Sequence, residues 1–187
     1  PKISEAVPDA ELHIFYGFTE HYDAAARQSP HLVKIKEKVL SMIDHPKICF
    51  SRMIGQRELA NQFATSGVWL YPTMFPEISC ITAMKAAAHG CCPVTSNYGV
   101  LGETLLGGND WGPFTDTDVD VYDDKEIRAK WVSSAIETML NPPSIEDRMQ
   151  MAAKFRRQYK WGDIAAEWLT LFSKVSQEKA DQVLLTS

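Results

Sequence analysis

Short apolar runs alternate along the chain with longer segments whose apolar residues recur every three to four positions, the signature of strands interleaved with amphipathic helices. Glu11 to Gly17, ELHIFYG, is apolar and aromatic and is closed by glycine, which predicts a buried strand. In Leu32 to Ile43 the residues Leu32, Ile35, Val39 and Met42 fall on one helical face. Lys47 to Arg52, KICFSR, predicts a second strand, Arg57 to Thr65 a short helix, and Val68 to Tyr71, VWLY, a third strand stopped by Pro72. Pro93 to Ser96 predicts a fourth. Strands separated by single helices imply a parallel sheet with helices on both faces, so the expected class is α/β.

Between the third and fourth strands lies a helix dominated by alanine. Ser79 is placed at its start, because a serine hydroxyl accepts from the free N–H groups of a first turn, and Gly90 at its end as a left-handed cap. Ala83, Ala86, Ala87 and Ala88 leave little side chain on it, which permits close approach to the sheet. Past Thr95, the stretch SNYGVLGETLLGGNDWGPF is rich in turn formers, as expected at the rim of such a sheet. From Asp124 onward the pattern is helical: Lys125 to Leu140, Ile145 to Tyr159 and Trp161 to about Val175, the first two separated by Pro142 and Pro143. In the last of them Trp161, Ile164, Ala165, Trp168, Leu171 and Phe172 form a wide stripe suited to a core or an interdomain face. The final dozen residues lack a stripe and are expected to fray. The expected organisation is one domain over residues 1–175 and a tail over 176–187.

Composition narrows the function classes. The 187 residues are 45% hydrophobic and 23% charged, ordinary globular usage. A net charge of -5 argues against broad nucleic-acid binding, since the overall field repels phosphate backbones. No apolar run reaches the roughly 20 residues of a spanning helix. Cys49, Cys80, Cys91 and Cys92 lack C-x-x-C spacing and the histidines lack an H-x-x-x-H repeat, so reduced thiols are expected, with no zinc site and a cytoplasmic setting.

The candidate chemistry lies in the loop Pro72 to Ser79. Ligands of open parallel sheets collect where strands end and helices begin. Free N–H groups of Ser79, Cys80 and Ile81, with the positive end of the helix dipole, suit a phosphate or diphosphate. Glu77 would repel such a group at close range, so its fitting role is to accept hydrogen bonds from sugar hydroxyls beside it. The same carboxylate would also serve as an ordinary residue near a helix start. The acidic run FTDTDVDVYDD, Phe114 to Asp124, fails as an EF-hand, because Val121 and Ile127 stand where glycine and glutamate are required, and reads as a solvated rim. KFRRQYKW, Lys154 to Trp161, reads as a wet helix face with an anchored edge.

The order strand, proline, loop, glutamate, alanine helix, glycine, Pro-Val in YPTMFPEISCITAMKAAAHGCCPVTSN, continued in YGVLGETLLGG and the Trp161 to Trp168 segment, resembles the donor-binding half of the retaining glycosyltransferases of family 4. The resemblance is strongest from Gly55 to Gly108. It implies the C-terminal, Rossmann-like half of a GT-B enzyme that transfers a hexosyl unit from a nucleotide sugar to a hydroxyl with retention, without cofactor or obligatory metal. It implies further that Ile54 and Gly55 border the base, that Thr73 and Ile78, Ser79, Cys80 and Ile81 line the diphosphate, and that Glu77 holds the sugar as the catalytic-site carboxylate.

Two departures stand out. Eight positions on from Glu77 is Lys85, where the family places a second glutamate for the ribose, and an ammonium cannot accept those bonds. Lys85 therefore turns to a phosphate, or the ribose is held otherwise, or donor binding has decayed. Compared with the family, the chain also begins inside the first helix, so the opening strand, its basic glycine loop and the acceptor-binding domain would lie upstream. Two other readings remain open: a non-catalytic GT-B-like scaffold or interaction module, and a nucleotide-sugar epimerase.

Overall fold

In a computed structural model, which describes residues 2–73, 75–96, 98–105, 114–115 and 124–186, the elements alternate as the hydrophobic pattern predicts. α1 (Lys2–Ala6) leads to β1 (Leu12–Ile14), α2 (Glu20–Ala26), α3 (Pro30–Ile43), β2 (Ile48–Phe50) and α4 (Gln56–Thr65). β3 (Val68–Tyr71), α5 (Ile81–Ala88), β4 (Cys92–Ser96), α6 (Leu101–Thr104) and β5 (Phe114–Thr115) follow, then α7 (Lys125–Leu140), α8 (Ile145–Gln158) and α9 (Trp161–Thr186). The protein is mixed α/β. The acidic stretch 116–123 and residues 106–113 lie outside the described residues.

Local chemistry sets several boundaries. Thr19 accepts from the Tyr22 amide at the start of α2, and Pro30 opens α3, where a missing N–H costs nothing. Asp124 accepts from the Glu126 and Ile127 amides to cap α7, so the last residue of the acidic run is a helix cap. Ser144, just after the two prolines, caps α8 through the Asp147 amide. Gly90, at φ 75°, supplies the left-handed turn that ends the alanine helix.

The strands pair in parallel but in two groups. β1 lies against β2 with Leu12 opposite Ile48 and Ile14 opposite Phe50. β3, β4 and β5 form a second sheet in that order, with Val68 opposite Cys92 and Thr95 opposite Phe114. Where one continuous sheet was expected, two stand apart among the described residues.

The core belongs to the second sheet and follows its period of two. Trp69 and Tyr71 point to the face covered by α5 and α8, where Ala83, Ala87, Met151 and Phe155 are buried. Val68 and Leu70 point to the other face, against Ile127, Trp131 and Ala135 of α7 and Ile3 of α1. β4 is buried on both faces, as a central parallel strand should be. Ala83, Ala86 and Ala87 have no exposed surface, so the alanine helix does approach closely. Arg148 of α8 fastens these layers, donating to the carbonyls of Gly90 at 2.7 Å and Ser66 at 3.1 Å.

Three expectations change. The strand over Glu11 to Gly17 is shorter and only partly covered, with Leu12 40% and Tyr16 64% exposed. Its outer edge meets an open cavity instead of a neighbouring strand. The α3 stripe is likewise unburied, with Ile35, Val39 and Met42 exposed, and α3 packs on α2. α9 continues through Thr186 instead of ending near Val175, and its stripe faces outward: Trp161, Trp168, Leu171 and Phe172 are all at least half exposed.

Candidate functional site

Tyr71 ends β3, and Pro72 then denies the chain another ladder donor, so the backbone turns into a loop over the sheet's carboxyl end. That loop is held at both ends. The amide of Thr73 donates to the Ser96 hydroxyl at 3.2 Å, and the same hydroxyl donates to the Thr73 carbonyl, which joins the ends of β3 and β4. The Thr73 hydroxyl accepts from the Phe75 amide at 3.0 Å. Further on, the Glu77 amide donates to the Phe75 carbonyl and the Glu77 carbonyl accepts from the Val100 amide at 3.0 Å.

Gly99 completes this clamp. It sits at φ 60°, and a Cβ there would lie 2.9 Å from both the amide nitrogen and the carbonyl oxygen of Glu77. Only glycine permits that approach in that conformation. The Glu77 carboxylate is in turn oriented by the Tyr71 phenol, which donates to Oε1 at 2.6 Å. Burial pushes the Tyr71 pKa up to about 12, and donation to Glu77 adds to the rise. The ring of Tyr71 stacks on Trp69, centroids 4.9 Å apart, so the phenol is fixed from below as well.

Beside this carboxylate begins α5. Cys80, not Ser79, occupies the N-cap position, and no side-chain hydrogen bond caps the helix. The helix proper starts at Ile81, so the cap position falls one residue beyond the expected Ser79. The Cys80 thiol is buried, and burial raises its pKa against the opposing pull of the Ala83 and Thr82 amides. The start of α5 thus has no oxygen cap, and the Cys80 thiol is what its Thr82 and Ala83 amides face beside Glu77; a helix start of this kind is suited to an anion.

Glu77, Ser79, Cys80 and Ile81 share the wall of a 1170 Å³ cavity that runs between β3 and β1. The other expected site residues lie elsewhere. Thr73 is buried with its polar atoms bonded to Ser96 and Phe75, Ile78 is 89% exposed on the outer surface, and Ile54, Gly55 and Lys85 do not line the cavity. Lys85 instead donates to the Gln56 side chain at the start of α4, directly after Gly55. Tyr71, Gly99 and Gln56 were not singled out from sequence. Tyr71 was legible only as a strand end, and Gly99 as one turn glycine among several.

Cys49, Cys80, Cys91 and Cys92 form no disulfide, and the last three are buried. Burial drives the thiol of Cys91 up to about 12 and that of Cys92 to about 11, so neither is a thiolate near neutrality. Away from the loop, potential ligand atoms of Glu11, His13 and Cys49 lie within 4.8 Å of one another, a grouping that depends on the pairing of His13 with Cys49 across β1 and β2. Among the described residues no helix is long and apolar enough to cross a membrane. No family model matches the chain, and no curated protein matches it.

Proposed function

We propose that the chain is the nucleotide-sugar-binding half of a retaining glycosyltransferase with a Rossmann-like, GT-B type architecture, acting in the cytoplasm with an acceptor-binding domain. The observation that carries the reading is the orientation of Glu77: a carboxylate fixed by Tyr71 and Gly99 at the carboxyl end of β3, beside the uncapped start of α5. In this reading first-turn amides of α5 receive the donor diphosphate, and Glu77 accepts hydrogen bonds from the sugar it carries. Positioning and stabilisation of the departing diphosphate by backbone dipoles would supply most of the catalysis. Ile54 and Gly55 would border the base, near the Lys85 and Gln56 pair. The exposed apolar stripe of α9 suits an interdomain face.

The test is transfer by the gene-encoded polypeptide from a panel of nucleotide sugars, read as released nucleoside diphosphate, with and without Glu77→Ala. Loss of a charge-assisted hydrogen bond costs about 1.5 to 3 kcal/mol. Turnover should then fall by about tenfold to a hundredfold or more. Turnover indifferent to Glu77→Ala would sink the reading.

A second reading is a non-catalytic scaffold of the same architecture. Lys85 favours it, because its ammonium is engaged with Gln56 at a place where the resemblance calls for a ribose-binding carboxylate. Absence of any nucleotide-sugar binding by the gene-encoded polypeptide would favour this second reading.

A further inference from the structure

Glu11, His13 and Cys49 bring three kinds of metal ligand to one side of the paired strands β1 and β2. Positions two apart on an extended chain share a face, which places Glu11 with His13, and the parallel register sets Cys49 directly beside His13. The three potential ligand atoms all lie within 4.8 Å of one another. Two side chains already stand closer, with His13 Nε2 3.3 Å from Glu11 Oε2. Bonds of about 2.0 to 2.1 Å to a tetrahedral zinc ion set a nitrogen-to-oxygen edge of about 3.3 Å, so this pair has the separation that two zinc ligands need. We propose that Glu11, His13 and Cys49 bind a divalent cation of the zinc class, with a water as fourth ligand.

The donor set selects the metal. A thiolate and an imidazole suit zinc and disfavour magnesium and calcium, which take oxygen ligands. Among the described residues no lysine or arginine pairs with Glu11, so its charge is not already spent on a basic side chain. The His13 ring is steadied by Phe15, stacked with centroids 6.2 Å apart. The His13 and Glu11 side chains are 39% and 63% exposed, which gives a cation an entry path and leaves room for the water. Cys49 binds as the thiolate, and its proton passes to solvent as the zinc–sulfur bond forms. The ion ties β1 to β2 through side chains, in addition to their backbone ladder. Spacing along the chain argued against zinc and could not register this set, since Cys49 reaches the other two only through strand pairing. The inference does not rest on glycosyl transfer.

The experiment is alkylation of the gene-encoded polypeptide, stripped of metal by a chelator and then given Zn2+, Ca2+ or Mg2+, with the rate at Cys49 read by peptide mass spectrometry. Zinc should slow the reaction at Cys49 by roughly tenfold or more, because a coordinated thiolate is no longer free to attack. Calcium and magnesium should leave it unchanged. In Glu11→Ala and in His13→Ala the zinc concentration that half-protects Cys49 should rise by about a hundredfold or more, since loss even of a group behind a metal ligand costs about 10- to 100-fold in affinity. Co2+ in place of zinc should give a thiolate-to-metal absorption band that Cys49→Ser removes. Labelling of Cys49 at the same rate with zinc as without overturns the proposal, and that comparison needs no variant, so it decides the matter even where a substitution unfolds the chain. Protection that survives both Glu11→Ala and His13→Ala would make Cys49 a solitary thiol with adventitious zinc and overturn it equally. So would equal protection by calcium or magnesium.

Discussion

The Tyr71 phenol donates to Glu77 Oε1 at 2.6 Å, across the turn by which the chain leaves β3. The bond ties the carboxylate to a ring that is itself stacked on Trp69, so its direction is set by the sheet and not by the loop. Tyr71→Phe keeps the ring and removes the donor. Stability should fall by only about 0.5 to 1.5 kcal/mol, the usual worth of one such bond. If Glu77 holds the donor sugar, turnover should drop further than nucleotide affinity, because the carboxylate loses its direction and not its charge. Equal loss in both would mean that Tyr71 is merely structural.

Gly99 is the other side of the same clamp. Gly99→Ala forces a Cβ into the backbone of Glu77 and places alanine at φ 60°. Strain of this kind costs about 1 to 3 kcal/mol. Denaturant unfolding should show a lowered midpoint with unchanged slope, and the signal of the Val100 amide, which donates to Glu77, should shift. A variant as stable as the parent, with the Val100 bond intact, would contradict the close approach.

Lys85→Glu reverses the charge at an exposed position whose one partner can adapt. Gln56 accepts from the ammonium, and its amide can turn to donate to a carboxylate. Stability should therefore stay within about 0.5 kcal/mol of the parent. Calorimetry with a nucleoside diphosphate should give tighter binding, with a tenfold gain equivalent to about 1.4 kcal/mol. Weaker binding would assign Lys85 to the phosphates.

The buried thiols predict an alkaline limit. Cys91 and Cys92 rise from 9.0 to about 12 and about 11, and Tyr71 from 10.0 to about 12. The folded state holds these protons more tightly than the unfolded state, so their contribution is complete below pH 9 and is lost as pH climbs from there toward 12. The thermal midpoint should hold steady up to about pH 9 and then fall, later in Cys91→Ala, which removes one of the groups. At neutral pH a thiol reagent should reach Cys49 far faster than Cys80, Cys91 or Cys92. Simultaneous labelling of all four in the native protein would contradict their burial.

Much of the architecture was readable along the chain. VWLY is β3 to the residue, and the alanine helix ends at Gly90 as its φ demands. Period, proline and glycine act locally, so they mark where elements start and stop. They also pointed to Glu77, since a carboxylate between a strand end and a helix start is visible in one dimension. The start of α5 was misplaced because Ser79 fits a cap by its chemistry, whereas the helix begins at Ile81 with Cys80 at the cap position and no side-chain cap bond.

What the chain order could not carry is the company each residue keeps. Tyr71 meets Glu77, Gly99 admits the backbone of Glu77, Lys85 reaches Gln56, and Cys49 comes beside His13 because strands and helices far apart in sequence are packed together. The gap between β1 and β3 belongs to the same class. Hydrophobic period predicts that a segment is a strand, but hydrogen bonding between edges is a pairwise property, and only the tertiary structure decides which edges meet and which are left open.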